Sequence, residues 1–300
     1  MLRTCLLTAV LAALAVADTI TVDLATCSGT PQLYGQGLLY GISGTNTPPQ
    51  SYYSALKTNY ESAGGAQFDT SPAGYASNIS SYTYRFSTAV DAFKRIRANH
   101  GVMIVKLADL WGADFTQPSN FKYPGDNGDW TLYDAFLQRV ISDVKANGMA
   151  VPYATQLELW NEPDINFGKR SQSQYNAMFV RGVKTLRAAF GKNTAAFLPL
   201  VGPSAANRPS SGNAFWTSLL QYLQSNGGQA VQPDVWNWHM EGGDNNDPIP
   251  PAQALPGLVQ NYGLTTGIGL QNNEYGAKTQ QVPSYSTWFR ARYERLKFNG

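Results

Sequence analysis

Strand-like apolar runs and helix-like amphipathic runs alternate along this 300-residue sequence, with no linker or internal repeat between them. "GLLYGISG" (37–44) reads as a first strand and "AGGAQFD" (63–69) as the end of a second. "GVMIVKLADLWG" (101–112) is an apolar strand with a polar exit. A helix is expected over 130–147, where Phe136, Val140, Ile141 and Val144 recur on one face. Then follow "TQLELWNEPD" (155–164), a helix over 171–190, "AFLPLVGPSA" (196–205) and a helix over 214–223. "DVWNWHMEG" (234–242), a helix near 251–262, "IGLQNNEYG" (268–276) and a last helix over 285–298 complete the series.

Strands separated by helices pair in parallel, because the crossover brings each strand back in the same direction. Seven such units in one uninterrupted domain predict an α/β fold of the (β/α)₈ TIM-barrel kind. The other candidate is an open doubly wound sheet, but neither G-x-G-x-x-G nor a P-loop follows the first strand. After Glu274 one helix remains before Gly300. The barrel is therefore expected to be truncated before its eighth strand, with two strand edges exposed.

The chain begins "MLRTCLLTAVLAALAVADTI". The apolar run from Leu6 to Ala17 is too short for a membrane-spanning helix. With Arg3 ahead of it and "AVA" at its end, it reads as a secretory signal peptide over 1–17, followed by a barrel domain over 18–300. A secreted, extracellular protein with no membrane anchor is expected. Cleavage would remove Cys5 and leave Cys27 without a partner. "NIS" (78–80) is a glycosylation acceptor. The net charge of +2 comes without any basic run, so nucleic acid is not an expected partner. Only 14% of residues are charged, against 17 Tyr, 13 Phe and 7 Trp, a balance suited to a neutral polar ligand.

Side chains alternate along a strand. In "TQLELWNEPD", Gln156, Glu158, Trp160 and Glu162 then share one face, and Leu157, Leu159 and Asn161 the other. If the leucines pack on helices, Glu162 points inward at the carboxyl end, where barrel active sites lie. Pro163 offers no N–H to the ladder and ends the strand there. It also biases Glu162 toward extended backbone. Glu274 ends "IGLQNNEYG" in the same way, three βα units later. Two carboxylates converging on one mouth, one protonated and one ionised, are the equipment of glycoside hydrolysis.

"LELWNEPD" resembles the acid/base strand of the clan A retaining glycoside hydrolases, most closely the family 39-like members. "NNEYG" looks like the nucleophile strand of the same clan. The resemblance spans about 151–276 and implies Glu162 as general acid/base and Glu274 as nucleophile. It implies Asn161 on the sugar 2-hydroxyl, His239 near the nucleophile, and a carbohydrate substrate. The clan's arginine near the end of the second strand has no counterpart in "YESAGGAQFD"; Arg85 is the nearest. Trp111, Trp160 and Trp238 lie near strand ends, where each would either offer a sugar-stacking ring or belong to the plain core. Asp109 would hold a hydroxyl or cap a loop.

Other chemistries lack their residues. His100 and His239 are the only histidines, and neither H-E-x-x-H nor C-x-x-C occurs, so no metal and no cofactor is expected. No G-x-S-x-G elbow occurs. "FDTS" (68–71) resembles an aspartic-protease loop but stands alone. The alternative to an enzyme is a secreted sugar-binding barrel that has lost turnover.

Overall fold

The computed structural model describes residues 25, 29–42, 48–66, 74–115, 117, 119–192, 194–241 and 247–298. The expected signal peptide, Cys27 and "FDTS" lie outside these residues. The chain divides into two units, Met1–Pro31 and Gln32–Gly300, and the second holds all the regular structure described.

The order is β1 (Gly37–Leu39), α1 (Gln50–Leu56), β2 (Tyr60–Ala63), α2 (Ile79–Arg97), β3 (Val102–Lys106) and α3 (Leu107–Trp111). Next come α4 (Thr131–Ala146), β4 (Thr155–Glu158), α5 (Gln172–Phe190), β5 (Leu200–Ala205) and α6 (Ala214–Asn226). β6 (Val235–Trp238), α7 (Ile249–Gln260), β7 (Gly269–Gln271) and α8 (Pro283–Leu296) complete it. Among the described residues the seven strands form one parallel sheet in sequence order.

Side chains show that this sheet curls. Neighbouring strands lie about 4.8 Å apart, so β4 and β7 would be about 14 Å apart in a flat sheet. Instead Gln271 Nε2 on β7 donates to Gln156 Oε1 on β4 at 3.0 Å. Just beyond β7, Asn273 Nδ2 lies 3.3 Å from Ser62 Oγ on β2. The interior is thus bridged by amides and hydroxyls, while the outer face is apolar: Trp236 meets Trp216 of α6, their ring centroids 6.2 Å apart.

Three local expectations need correction. The second strand is Tyr60–Ala63, a few residues earlier than "AGGAQFD" placed it. The apolar run 101–112 is not one strand. After Lys106 the backbone turns into α3, which ends at Gly112 with φ 106°, a conformation glycine adopts without a Cβ clash. The 19-residue α2 was not expected at all, although Tyr82, Phe86, Ala89, Val90, Phe93 and Ile96 form its buried stripe. Asn78 of the "NIS" triplet caps this helix, accepting from the Ser80 amide at 2.7 Å.

Among the described residues β1 pairs only with β2, and β7 only with β6. α8 straps part of the gap between these edges from outside, while β1 and β7 themselves stay partly exposed. Glu294 accepts from the amides of Gln32 and Tyr34, both at 3.1 Å. Tyr275 beyond β7 donates its hydroxyl to the Gly35 carbonyl. Gly35 has φ 65°, and a Cβ there would meet the Tyr293 ring of α8 at 2.4 Å. Inside the strap lies a cavity of about 410 Å³, lined by Leu39, Tyr60, Asn273, Tyr275 and Phe289 among others.

Candidate active site

The carboxyl ends of β3, β4, β6 and β7 deliver the polar groups. β3 carries Ile104 and then Lys106 on its inner face; Lys106 is wholly buried. Its ammonium donates to Asn161 Oδ1 at 2.7 Å and to Glu274 Oε1, and lies 3.6 Å from Glu158 Oε2. These carboxylates overcome the effect of burial and hold the lysine pKa above its usual value.

β4 ends at Glu158, and the alternation expected through Glu162 ends with it. Trp160 turns away into an aromatic cluster with Tyr123 and Phe167, and Asn161 turns inward to Lys106. Glu162 then takes φ 46°, the left-handed region, instead of the extended backbone expected before Pro163. For a non-glycine residue this conformation costs about 1–2 kcal/mol. Hydrogen bonds on both sides hold it: the Glu162 amide donates to Ser204 O at 2.8 Å. Its carbonyl accepts from the amides of Ile165 and Asn166 at 3.0 and 2.6 Å.

His239 follows β6, its amide bonded to Ala205 O at 2.8 Å, and its ring is 1% exposed. Nδ1 lies 2.9 Å from Glu162 Oε1 and 3.6 Å from Glu274 Oε2. Glu274 follows β7, and its carbonyl accepts from the Met240 amide at 2.8 Å. Donor atoms of Glu162, His239 and Glu274 all lie within 4.8 Å of one another. That spacing would admit an ion, but the ammonium of Lys106 already supplies Glu274 with a cation.

Each charge sets its neighbour. Burial alone would raise the Glu274 pKa, but His239 and Lys106 outweigh it and hold the carboxyl below its usual value. Burial alone would lower the His239 pKa; Glu274 and the Glu162 hydrogen bond outweigh that and raise it. Asp109, buried and bonded by the Tyr40 hydroxyl at 2.8 Å, is pushed up to about 6 by burial against the pull of Lys106.

Of the expected site residues, Glu162, Glu274, Asn161 and His239 come together. The three tryptophans do not: Trp111, Trp160 and Trp238 are each at most 1% exposed, so none offers a face to a ligand. Trp111 donates to Lys122 O at 3.0 Å and Trp160 to Asn166 O at 3.1 Å. Trp238 packs edge-on against Phe298. Their neighbours in the fold are aromatic, which is why strand-end position misled. Arg85 lies on α2 and not beside the nucleophile; it binds Asp114 Oδ2 and Asp109 O, both at 2.6 Å.

Sequence reasoning missed Lys106, Glu158 and Asn273. The signal was present in "VMIVK", where a lysine two residues beyond Ile104 falls on the inward face. Asn273 joins the set by donating to Glu158 Oε2 at 3.0 Å and accepting from Asn237 Nδ2 at 2.6 Å.

No family model matches this chain, and no curated protein matches it. Solved structures do. The structure of N2152 from Neocallimastix frontalis has a TM-score of 0.64 at 19% identity, over 89% of this chain and 59% of that one. The chain therefore spans about three fifths of that protein's length, and the two share a fold. Less similar are a glycoside hydrolase family 30 subfamily 8 xylanase from Clostridium acetobutylicum and a psychrophilic family 10 endo-beta-1,4-xylanase. The first has a TM-score of 0.46 at 15% identity, over 83% of this chain and 56% of that one. The second has 0.47 at 14%, over 88% and 79%.

Proposed function

We propose that this chain carries the catalytic face of a secreted retaining glycoside hydrolase, acting on a saccharide by double displacement. The observation that carries this reading is the convergence of Glu162 and Glu274 on His239, with one oxygen of each carboxylate within 4.8 Å of one oxygen of the other. Retaining enzymes hold their carboxyl groups about 5–5.5 Å apart, whereas inverting enzymes need about 6.5–9.5 Å to admit a water. The likeness of "LELWNEPD" to the acid/base strand of clan A, nearest its family 39-like members, and of "NNEYG" to the clan's nucleophile strand supports the same roles, and the signal-peptide pattern read in the sequence of 1–17 supports secretion.

Glu274, kept anionic by Lys106 and His239, attacks the anomeric carbon. Glu162 protonates the departing oxygen and then takes a proton from the water that cleaves the ester. His239 bridges the two acids and steadies whichever is charged. Asn161, fixed by Lys106, turns its amide toward the sugar.

The test is incubation of the purified protein with 2-deoxy-2-fluoroglycosides bearing a good leaving group, followed by intact mass and peptide mapping. An adduct on Glu274 is expected. Saccharide binding with no adduct would support the binding-protein alternative, and an adduct elsewhere would remove Glu274 from its role.

A further inference from the structure

Lys106 is a wholly buried ammonium at the centre of the site. An unpaired buried charge costs several kcal/mol, so its acceptors matter. Two are Asn161 Oδ1 and Glu274 Oε1; the third, Glu158 Oε2, stands off at 3.6 Å. Glu158 is itself 0% exposed, and its other oxygen, Oε1, has no hydrogen-bond partner. A second buried carboxylate waits beside the cation, incompletely used.

We infer that Lys106 is a positioning residue of the double displacement, on which this inference rests: it orients Glu274 and Asn161, and it shifts its pairing to Glu158 when Glu274 becomes an ester. The charges require such a shift. In the first step a Glu274 oxygen bonds the anomeric carbon, and the bond to the leaving oxygen breaks. That oxygen keeps the electron pair and takes the proton of Glu162. Glu274 passes from anion to neutral ester and Glu162 from acid to anion, so one negative charge crosses the site. His239 touches both acids and has an anionic partner in either state. Lys106 pairs with Glu274 but not with Glu162, and the nearest carboxylate left to balance it is Glu158 at 3.6 Å, with Asp109 beyond ion-pair distance. Hydrolysis of the ester reverses the shift. Lys106 also occupies Asn161 Oδ1, which leaves Nδ2 as the end that donates to a sugar hydroxyl.

Every charged group near the pair enters the pH behaviour. Glu274 is faced by Lys106 from β3, Glu162 beyond β4, His239 beyond β6, and Glu241. Lys106 is faced by Glu158 and Asp109, with Arg85 behind Asp109.

The test is the pH dependence of fluoroglycoside labelling, read by mass, for the wild type, Lys106→Arg, Lys106→Met, Glu158→Gln and the double variant Lys106→Met/Glu158→Gln. The double variant removes one charge of each sign and guards against misfolding of the single one. Loss of a cation in contact with a carboxylate raises that carboxylate's pKa by about 1–3 units. The acid limb should therefore move up by about 1–2 pH units in the two variants carrying Lys106→Met, and Lys106→Arg should keep it in place. Glu158→Gln should leave the limb in place or lower it, and should slow labelling about tenfold, about 1.4 kcal/mol. Acid limbs that coincide in folded wild type, Lys106→Met and double variant would overturn the inference while the adduct upholds the reading. No adduct on the wild type at any pH overturns both.

Discussion

Nδ1 of His239 lies 2.9 Å from Glu162 Oε1, so the group that bridges the two acids is itself buried and bonded to the more exposed one. Removing either acid should therefore disturb the other less than its own step.

Glu162→Ala should retain glycosylation by substrates with good leaving groups and stall at the ester. Azide, which needs no general base, should rescue turnover and give a glycosyl azide of retained configuration. Glu274→Ala should give the inverted azide. General acid–base help is typically worth about 10²–10⁴-fold. Near-normal activity of Glu162→Ala on a natural polysaccharide, or swapped product configurations, would end the assignment.

The raised pKa of His239 makes stability depend on pH with a definite sign. A group bound more tightly to its proton in the folded state contributes fully below its unfolded pKa of about 6.5 and loses that contribution as pH rises through the folded value. The Tm advantage of wild type over His239→Gln should then be largest below pH 6.5 and shrink on the alkaline side. Glu274, lowered from 4.5, acts at the other end: its contribution is present above 4.5 and lost as pH falls through the folded value. A His239 advantage that grew between pH 6 and 9 would contradict this.

Asp109 is the opposite case, a buried acid raised from 3.8 to about 6. Its folded form prefers the proton, so ionisation costs stability as pH rises past 3.8. Asp109→Asn keeps an oxygen for the Tyr40 hydroxyl and removes that cost. It should stabilise the protein on the order of 2–3 kcal/mol at pH 8 and little at pH 4, measured by urea unfolding at both. Equal effects at the two pH values would count against it.

Gly64 sets the height of Lys106. A Cβ there would lie 2.3 Å from Lys106 O and 2.5 Å from Asp109 Cβ. Both are held by the fold, so Gly64→Ala should destabilise by about 1–3 kcal/mol and lower the labelling rate of Glu274. Thermal unfolding unchanged from wild type would show that the β2–β3 contact gives way more easily than its packing implies.

The repeating part of the fold was legible because each unit carries its own pattern: a short apolar strand, then a stripe such as Phe136, Val140 and Val144. The beginning was less so. α2 opens "ISSYTYRFST", where hydroxyl side chains mask the stripe that Tyr82, Phe86 and Phe93 bury. At the site, Asn161 and Glu162 were legible because proline and asparagine mark a strand exit. The way they face was not, since period two ends at Glu158 and the turn holding Glu162 at φ 46° depends on Ser204, 42 residues away. Lys106 was hidden for a related reason. A lysine on a strand reads as solvated until acids from β4 and beyond β7 meet it.

The buried tryptophans have a spectroscopic consequence. Trp111, Trp160, Trp216, Trp236 and Trp238 are at most 1% exposed, and the remaining two, Trp130 and Trp288, each carry an arginine over the ring. Intrinsic fluorescence should therefore emit from an apolar setting and resist quenching by acrylamide. A saccharide entering beside Glu162 would scarcely alter that emission. Its binding must be followed by calorimetry or by the adduct itself, and the tryptophan signal serves instead as a clean monitor of unfolding.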